Sequence, residues 1–294
     1  MFYYLSILFE IHKSYNKINI FLHPMELFAE NLQSLECNLS GRIAVGASTD
    51  SRIKVYTVEK DSFTLASELE GHNGAVTKAL FVGTGEIMVS ADFTGLLIIW
   101  KQEGLSFERR VEKQLLNGPI YDISVRSLNK GLGNEEFVVE CACDGGVLKS
   151  LKFTNTMEES VEEQKVHEYG ISLVDCNSDY SVTAGLDNRA VFISGKSQLE
   201  FFSCEEGITA LKITRKNCFD KTFVAVGCET GDFLIFEHKA GNMELLHKVS
   251  LKKPIFSLQW SKGGFSVSVC YGETGEIKAY EIDETGKFVE VETV

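Results

Sequence analysis

The sequence predicts an all-β chain folded as a six-bladed β-propeller, and three observations carry that expectation. From residue 32 onward, apolar or alternating runs of four to eight residues succeed one another, separated by Gly, Asp, Asn and Thr turns. No window of a dozen residues carries a helical stripe of apolar side chains. The turns also recur with a period near 43 residues, the length of a propeller blade of four short strands.

The runs RIAVGAS, RIKVYTV, AVTKALFV, LLIIWK, FVVECAC, FVAVG, FLIFE and FSVSV are rich in Val, Ile, Phe and Tyr and too short for helices. They read as strands, because branched and aromatic side chains pack well on a pleated surface. Between them stand Asp50-Ser51, Thr94-Gly95, Asp144-Gly145, Asp187-Asn188, Thr230-Gly231 and Thr274-Gly275. Asp, Asn and Gly let a chain reverse tightly, and Asp or Thr can bond the neighbouring backbone. Each pair precedes by six residues a recurring strand position: Tyr56, Trp100, Ser150, Ile193, Phe236 and Tyr280. The intervals between those positions are 44, 50, 43, 43 and 44 residues. The long interval contains a polar insertion at 129–136, and a second polar stretch, 157–164, is likewise expected to be loop.

Gly71-His72 lies 28 residues before Trp100, the Gly-His and Trp pairing of a WD repeat. Ser90 or Asp92 is expected to complete a buried hydrogen-bonded set around His72 and Trp100. In that set His72 is a satisfied core histidine and not a catalytic base. The turn carboxylates Asp50, Asp144 and Asp187, together with Trp260, are expected to be structural as well.

The chemistry the sequence excludes is broader than the chemistry it offers. With 29 basic and 42 acidic residues the formal charge is −13, the wrong sign for a surface that neutralises the phosphates of a duplex. The eight cysteines stand singly apart from Cys141 and Cys143, with no C-x-x-C or H-x-x-x-H spacing for a metal. They are expected to be buried free thiols in a reducing, cytosolic setting. Ser194-Gly195-Lys196-Ser197 ends like a phosphate loop, but Ala190 stands where its first glycine belongs and a strand follows instead of a helix. No G-x-S-x-G elbow occurs, so no catalytic, cofactor or metal site is expected.

A closer likeness then emerges. RIAVGASTDSRIKVYTVEKDSFTLASELEGHNGAVTKALF and GEIMVSADFTGLLIIWKQEGLSFERR resemble the SEC13 family, the small propeller subunit of the COPII outer coat. HEYGISLVDC, VTAGLDNRAVFI and the final PIFSLQWSKGGFSVSVCYGETGEIKAYE are similar to that family's later blades, so the likeness runs over about residues 26 to 290. The departures are Thr94, Thr230 and Thr274 at turns where the family usually has Asp, and Ser150 and Ile193 in place of aromatics. The resemblance implies a non-enzymatic scaffold subunit of membrane-coat cages, in COPII budding from the endoplasmic reticulum and in the nuclear-pore outer ring. It implies an α-solenoid partner that inserts a seventh blade, a nucleoporin partner at the pore, and attachment to membranes only through partners. The implied places are the cytoplasm, the cytosolic side of the endoplasmic reticulum with its COPII vesicles, and the nuclear pore. The alternatives are the paralogous nuclear-pore propeller and a peptide-reading adaptor of the ubiquitin-ligase receptor kind.

Two expectations concern the ends of the chain. Residues 1–24 are expected to be an N-terminal extension that is an artefact of gene calling. The competing reading is a two-strand hairpin in the gap between the last and first blades. The propeller is expected to occupy 25–294, with Met25 as the start. After Tyr280 only one strand, Lys287 to Val291, remains to complete the sixth blade. No strand is then left to clasp the first blade to the last, so the propeller is expected to be open. Its free faces would lie around Leu32 to Ala47 and Ile255 to Ala279.

Overall fold

A computed structural model describes residues 32–59, 62–128, 136–154, 157–215 and 220–291. They form six antiparallel sheets of four strands, each built from four strands consecutive in sequence, and together these are the blades of a β-propeller. Residues 1–24 and Met25 lie outside the described residues.

The first three blades make one compact unit, residues 32–165. Blade one contains β1 (Leu32–Cys37), β2 (Ile43–Ser48), β3 (Ile53–Glu59) and β4 (Ser62–Leu69). Blade two contains β5 (Val76–Val82), β6 (Ile87–Asp92), β7 (Leu96–Glu103) and β8 (Ser106–Gln114). Blade three contains β9 (Ile120–Ser127), β10 (Glu136–Cys143), β11 (Val147–Thr154) and β12 (Met157–Lys165).

The second unit holds the other three blades, residues 166–291. Blade four contains β13 (Ile171–Cys176), β14 (Ser181–Gly185), β15 (Arg189–Ser194) and β16 (Ser197–Ser203). Blade five contains β17 (Ile208–Ile213), β18 (Thr222–Cys228), β19 (Asp232–Lys239) and β20 (Asn242–Ser250). Blade six contains β21 (Ile255–Trp260), β22 (Ser266–Tyr271), β23 (Glu276–Ile282) and β24 (Phe288–Val291).

Blade two shows why the strands read as they do. Every residue of β6 is buried, as are the first five of β7, because a middle strand is covered on both faces. Such strands have no polar alternation to display, hence IMVSAD and LLIIW. The outer strand β8 has water on one side, so SFERRVEKQ spaces its buried Phe107 and half-buried Val111 among exposed charges. Between blades one and two, Val45, Ala47, Ile53 and Val55 meet Met88, Leu96, Ile98 and Trp100. The other face of blade two gives Val89, Ala91, Leu97 and Ile99 to a core shared with Phe137, Val139, Leu151 and Phe153 of blade three.

Polar links join neighbouring first strands inside each unit. Ser34 Oγ accepts the Ala79 N–H at 3.2 Å, and Lys78 Nζ donates to Asp122 Oδ1 at 2.6 Å. In the second unit Asp175 Oδ2 accepts the Ile213 N–H at 3.0 Å, and Asn177 Nδ2 donates to the Thr214 carbonyl at 3.0 Å. A register shift recurs near the start of the first strand in all six blades, for example between Val76 and Lys78. Such bulges increase local twist, and the sequence pattern did not announce them.

In the third blade the structure corrects the expected repeat by one residue. The last pair before the turn is Ala91 with Leu97 in blade two and Ala142 with Leu148 in blade three. Three residues beyond each pair stand Trp100 and Leu151, so Leu151 and not Ser150 is the equivalent position. Leu151 is fully buried against blade two, and Ser150 points to the opposite face, where it donates to Glu140.

Candidate functional site

The loop into β5 presents His72, β6 presents Ser90 and Asp92, and β7 presents Trp100. Ser90 and Asp92 are two residues apart on one strand and therefore share a face. The indole N–H of Trp100 donates to Ser90 Oγ at 2.8 Å, and His72 Nε2 lies 2.6 Å from the same oxygen. His72 Nδ1 lies 3.0 Å from Asp92 Oδ2. So the two candidates for completing the set both belong to it.

Asp92 also organises the turn. Its Oδ1 accepts from the Thr94 N–H at 2.8 Å, the Thr94 hydroxyl at 2.7 Å and the Leu96 N–H at 3.0 Å. Its Oδ2 additionally accepts the Asn73 N–H at 3.2 Å. Burial alone would raise this carboxyl, but the bonds from His72, Thr94 and Leu96 outweigh it and hold the group well below the usual carboxylate range. An ionised carboxylate only accepts, so His72 Nδ1 carries a proton toward it. In the Nδ1–H tautomer, Nε2 accepts from Ser90, whose oxygen accepts from Trp100. The bonds run in one direction from Trp100 through Ser90 and His72 to Asp92. Thr94 stands at the turn position where the sequence comparison expects Asp, and Asp92 supplies the carboxylate from two residues earlier.

A second set was not singled out in the sequence. His167 Nδ1 lies 2.9 Å from Asp187 Oδ1, and its Nε2 lies 2.9 Å from Thr183 Oγ1. The signal was present, since His72–Asp92 and His167–Asp187 are both separations of 20 residues. It was hidden because Ile193 replaces the tryptophan, leaving Thr183 without an indole donor. Burial lowers the His167 pKa and keeps the ring neutral, although Asp187 pulls the other way. Burial would raise Asp187 in turn, but the Glu168 N–H, Arg189 and His167 hold its carboxyl well below the usual range.

The structure leaves the remaining singled-out residues in separate places. Asp50 Oδ1 accepts the Arg52 N–H at 3.0 Å within its own turn. Asp144 is exposed and faces the Tyr121 hydroxyl at 3.5 Å. Trp260 is buried, donates to the Lys212 carbonyl at 3.0 Å and stacks near Phe223.

Ser90, His72 and Asp92 have the residue types of a hydrolytic triad but not its accessibility. The His72 and Asp92 side chains are 1% and 0% exposed, and Ser90 is fully buried with its hydroxyl already engaged. A nucleophile must reach a substrate carbonyl, and this hydroxyl cannot. Among the described residues no three His, Cys, Asp or Glu side chains gather into a metal-holding group. The arrangement braces a blade; its chemistry is hydrogen bonding.

No family model matches the chain. Among curated proteins it is similar to Protein transport protein SEC13 of Coccidioides immitis, 27% identical over 141 residues, which are 45% of this chain and 44% of that protein. Protein transport protein sec13 of Emericella nidulans is 23% identical over 171 residues, 53% of this chain and 54% of that one. The Schizosaccharomyces pombe sec13 protein is 33% identical over 66 residues, 22% of each chain. The matches thus span about half or less of the relatives' own length. The solved structure of U3-55K superposes with a TM-score of 0.70 at 13% identity, covering 90% of this chain and 81% of that one, and shows the shared fold.

Proposed function

We propose that this chain, a diverged SEC13-like WD-repeat propeller, is a non-enzymatic scaffold subunit of a protein-transport coat. In this reading it serves COPII budding at the endoplasmic reticulum and the nuclear-pore outer ring, and it binds an α-solenoid partner that adds a seventh blade. The relatives support the transport assignment, and the burial of Ser90, His72 and Asp92 supports a role without catalysis.

The observation that carries the partner is on blade six. The face of blade two that packs on the next blade presents Ile87, Val89, Ala91, Leu97 and Ile99, all buried aliphatics. The corresponding positions of blade six, counted from Tyr280 as Trp100, are Ser266, Ser268, Cys270, Ile277 and Ala279. Ser266, Ser268, Cys270 and Ala279 are buried and Ile277 is half-buried, whereas its counterparts Ile53, Leu97, Leu148, Ala190 and Phe233 are at most 2% exposed. This face lacks the aliphatic seal of an ordinary blade junction. Among the described residues no strand from the far end of the chain enters either the first or the sixth sheet. A face of small and polar residues, on a sheet that no further strand enters among the described residues, invites strand addition by a partner.

Coexpression with a solenoid fragment carrying its insertion blade tests this. The expected result is a stable complex and a gain in soluble yield, with an interface of ~2,000–5,000 Å². A chain that is soluble and stable alone, and that copurifies with no coat or pore subunit, overturns it.

A further inference from the structure

We infer that one end of blades four and five is a docking strip for a basic peptide segment carrying an apolar anchor. Tyr169, in the loop entering blade four, and Leu186, in the turn between β14 and β15, are 59% and 57% exposed. The two segments are stapled together, since the Leu186 N–H donates to the Gly170 carbonyl at 2.9 Å. Two exposed large apolar side chains on segments joined by that bond are what a partner's apolar residue would cover.

Carboxylates continue the strip. The Asn188 side chain, two residues past Leu186, donates to the Glu205 carbonyl at 3.1 Å, which ties the turn to the loop entering blade five. The Glu229 N–H in turn donates to the Gly207 carbonyl at 2.9 Å, which brings in the next turn. Glu205, Glu206 and Glu229 are all exposed, and among the described residues no ion pair neutralises them. Several other acids on the same blades are matched, as Asp187 and Glu200 are by Arg189 and Asp232 is by Lys248. The strip ends at the exposed Lys252, beside the turn holding Gly231.

The occupant follows from charge complementarity. An extended segment would place leucine-like side chains on Tyr169 and Leu186 and its lysines or arginines along Glu205, Glu206 and Glu229. The chain's charge of −13 steers such a segment in, and the apolar pair fixes its register. This strip is independent of the blade-six face, so either reading can fail without the other.

The test measures fluorescence anisotropy on the full chain. The probe is a labelled Gly/Ser peptide carrying two leucines flanked by lysines. Controls replace the leucines by serine or the lysines by glutamate. Binding to the first probe is expected to weaken by about tenfold or more in Tyr169→Ser/Leu186→Ser and in Glu205→Gln/Glu206→Gln. It should also weaken as salt is raised. These side chains are exposed, so the variants should keep the parent melting curve. Should one pair fail to fold, the other carries the comparison. Equal binding of the serine control would mean diffuse attraction to an acidic protein and overturns the inference. Absence of binding, or binding unchanged by a folded variant, overturns it too.

Discussion

Trp100 and Ser90, ten residues apart on adjacent strands, are joined by a 2.8 Å bond from the indole N–H to the hydroxyl oxygen. That bond is the first of three that end on the Asp92 carboxylate, so the core of blade two is held by direction as well as by volume. Each partner has a fixed role, because the indole can only donate and the ionised carboxylate can only accept.

Trp100→Ala is expected to cost ~3–5 kcal/mol, because a buried ring leaves a cavity that closely packed strands cannot fill. Ser90→Ala should cost about 1–3 kcal/mol by leaving the indole N–H and His72 Nε2 unpaired in a dry core. Denaturant titration reads both. An unchanged midpoint for Trp100→Ala would remove the ring from the core.

Acid should destabilise the protein in two stages. The His167 pKa is lowered in the fold, so below its unfolded value near 6.5 the unfolded chain binds the extra proton and stability falls as pH drops. Asp187 is also lowered, so its contribution is present above its unfolded value near 3.8 and is lost as pH falls below that. In melting curves recorded from pH 7 to pH 3, His167→Gln should flatten the upper limb. Asp187→Asn should flatten the lower one.

Arg126 Nη2 lies 3.0 Å from Glu140 Oε1, and the Glu140 side chain is 2% exposed. Arg126→Ala removes the charged partner of a buried carboxylate that keeps the Ser150 hydroxyl, and should cost up to ~3 kcal/mol, the low end for a broken buried pair. The Arg126 Nε is itself buried without a partner, so the pair is not an optimal solution. Arg126→Met/Glu140→Leu should therefore cost less than Arg126→Ala alone, a non-additivity that a double-mutant cycle measures.

Gly95 has φ +88°, and a Cβ there would lie 2.2 Å from the Leu116 carbonyl oxygen and 2.7 Å from that of Gly118. Backbone cannot step aside as a flexible side chain can, so Gly95→Ala should prevent folding or sharply lower the melting temperature. Gly104, at φ +66°, has nothing within 4 Å of its Cβ position. Gly104→Ala should cost only ~1 kcal/mol of backbone strain.

Much of the fold was legible because a propeller writes itself several times over. Six turns in register and buried runs such as LLIIW need only local patterning, and the strands fell where those runs stand. The pairing of His72 with Trp100 was legible for the same reason. Blade three was misread by one residue because Ser150 and Leu151 are equally compatible with an alternating strand, and a period-two pattern cannot say which side faces the core. The His167 set was passed over because the expected tryptophan is Ile193.

The sequence alone determined the class, the number of blades and the elements that build them, since strand and turn preferences act over a few neighbouring residues. Only the tertiary structure decided that Ser90 and Asp92 both bind His72, and that Asp92 does the work of the missing turn carboxylate at Thr94. It also decided that Lys78 reaches Asp122 across 44 positions of chain, and that Ile277 lacks the cover its counterparts have. These depend on pairing register and on which blade lies alongside, and both are set by cross-strand contacts between residues far apart in sequence.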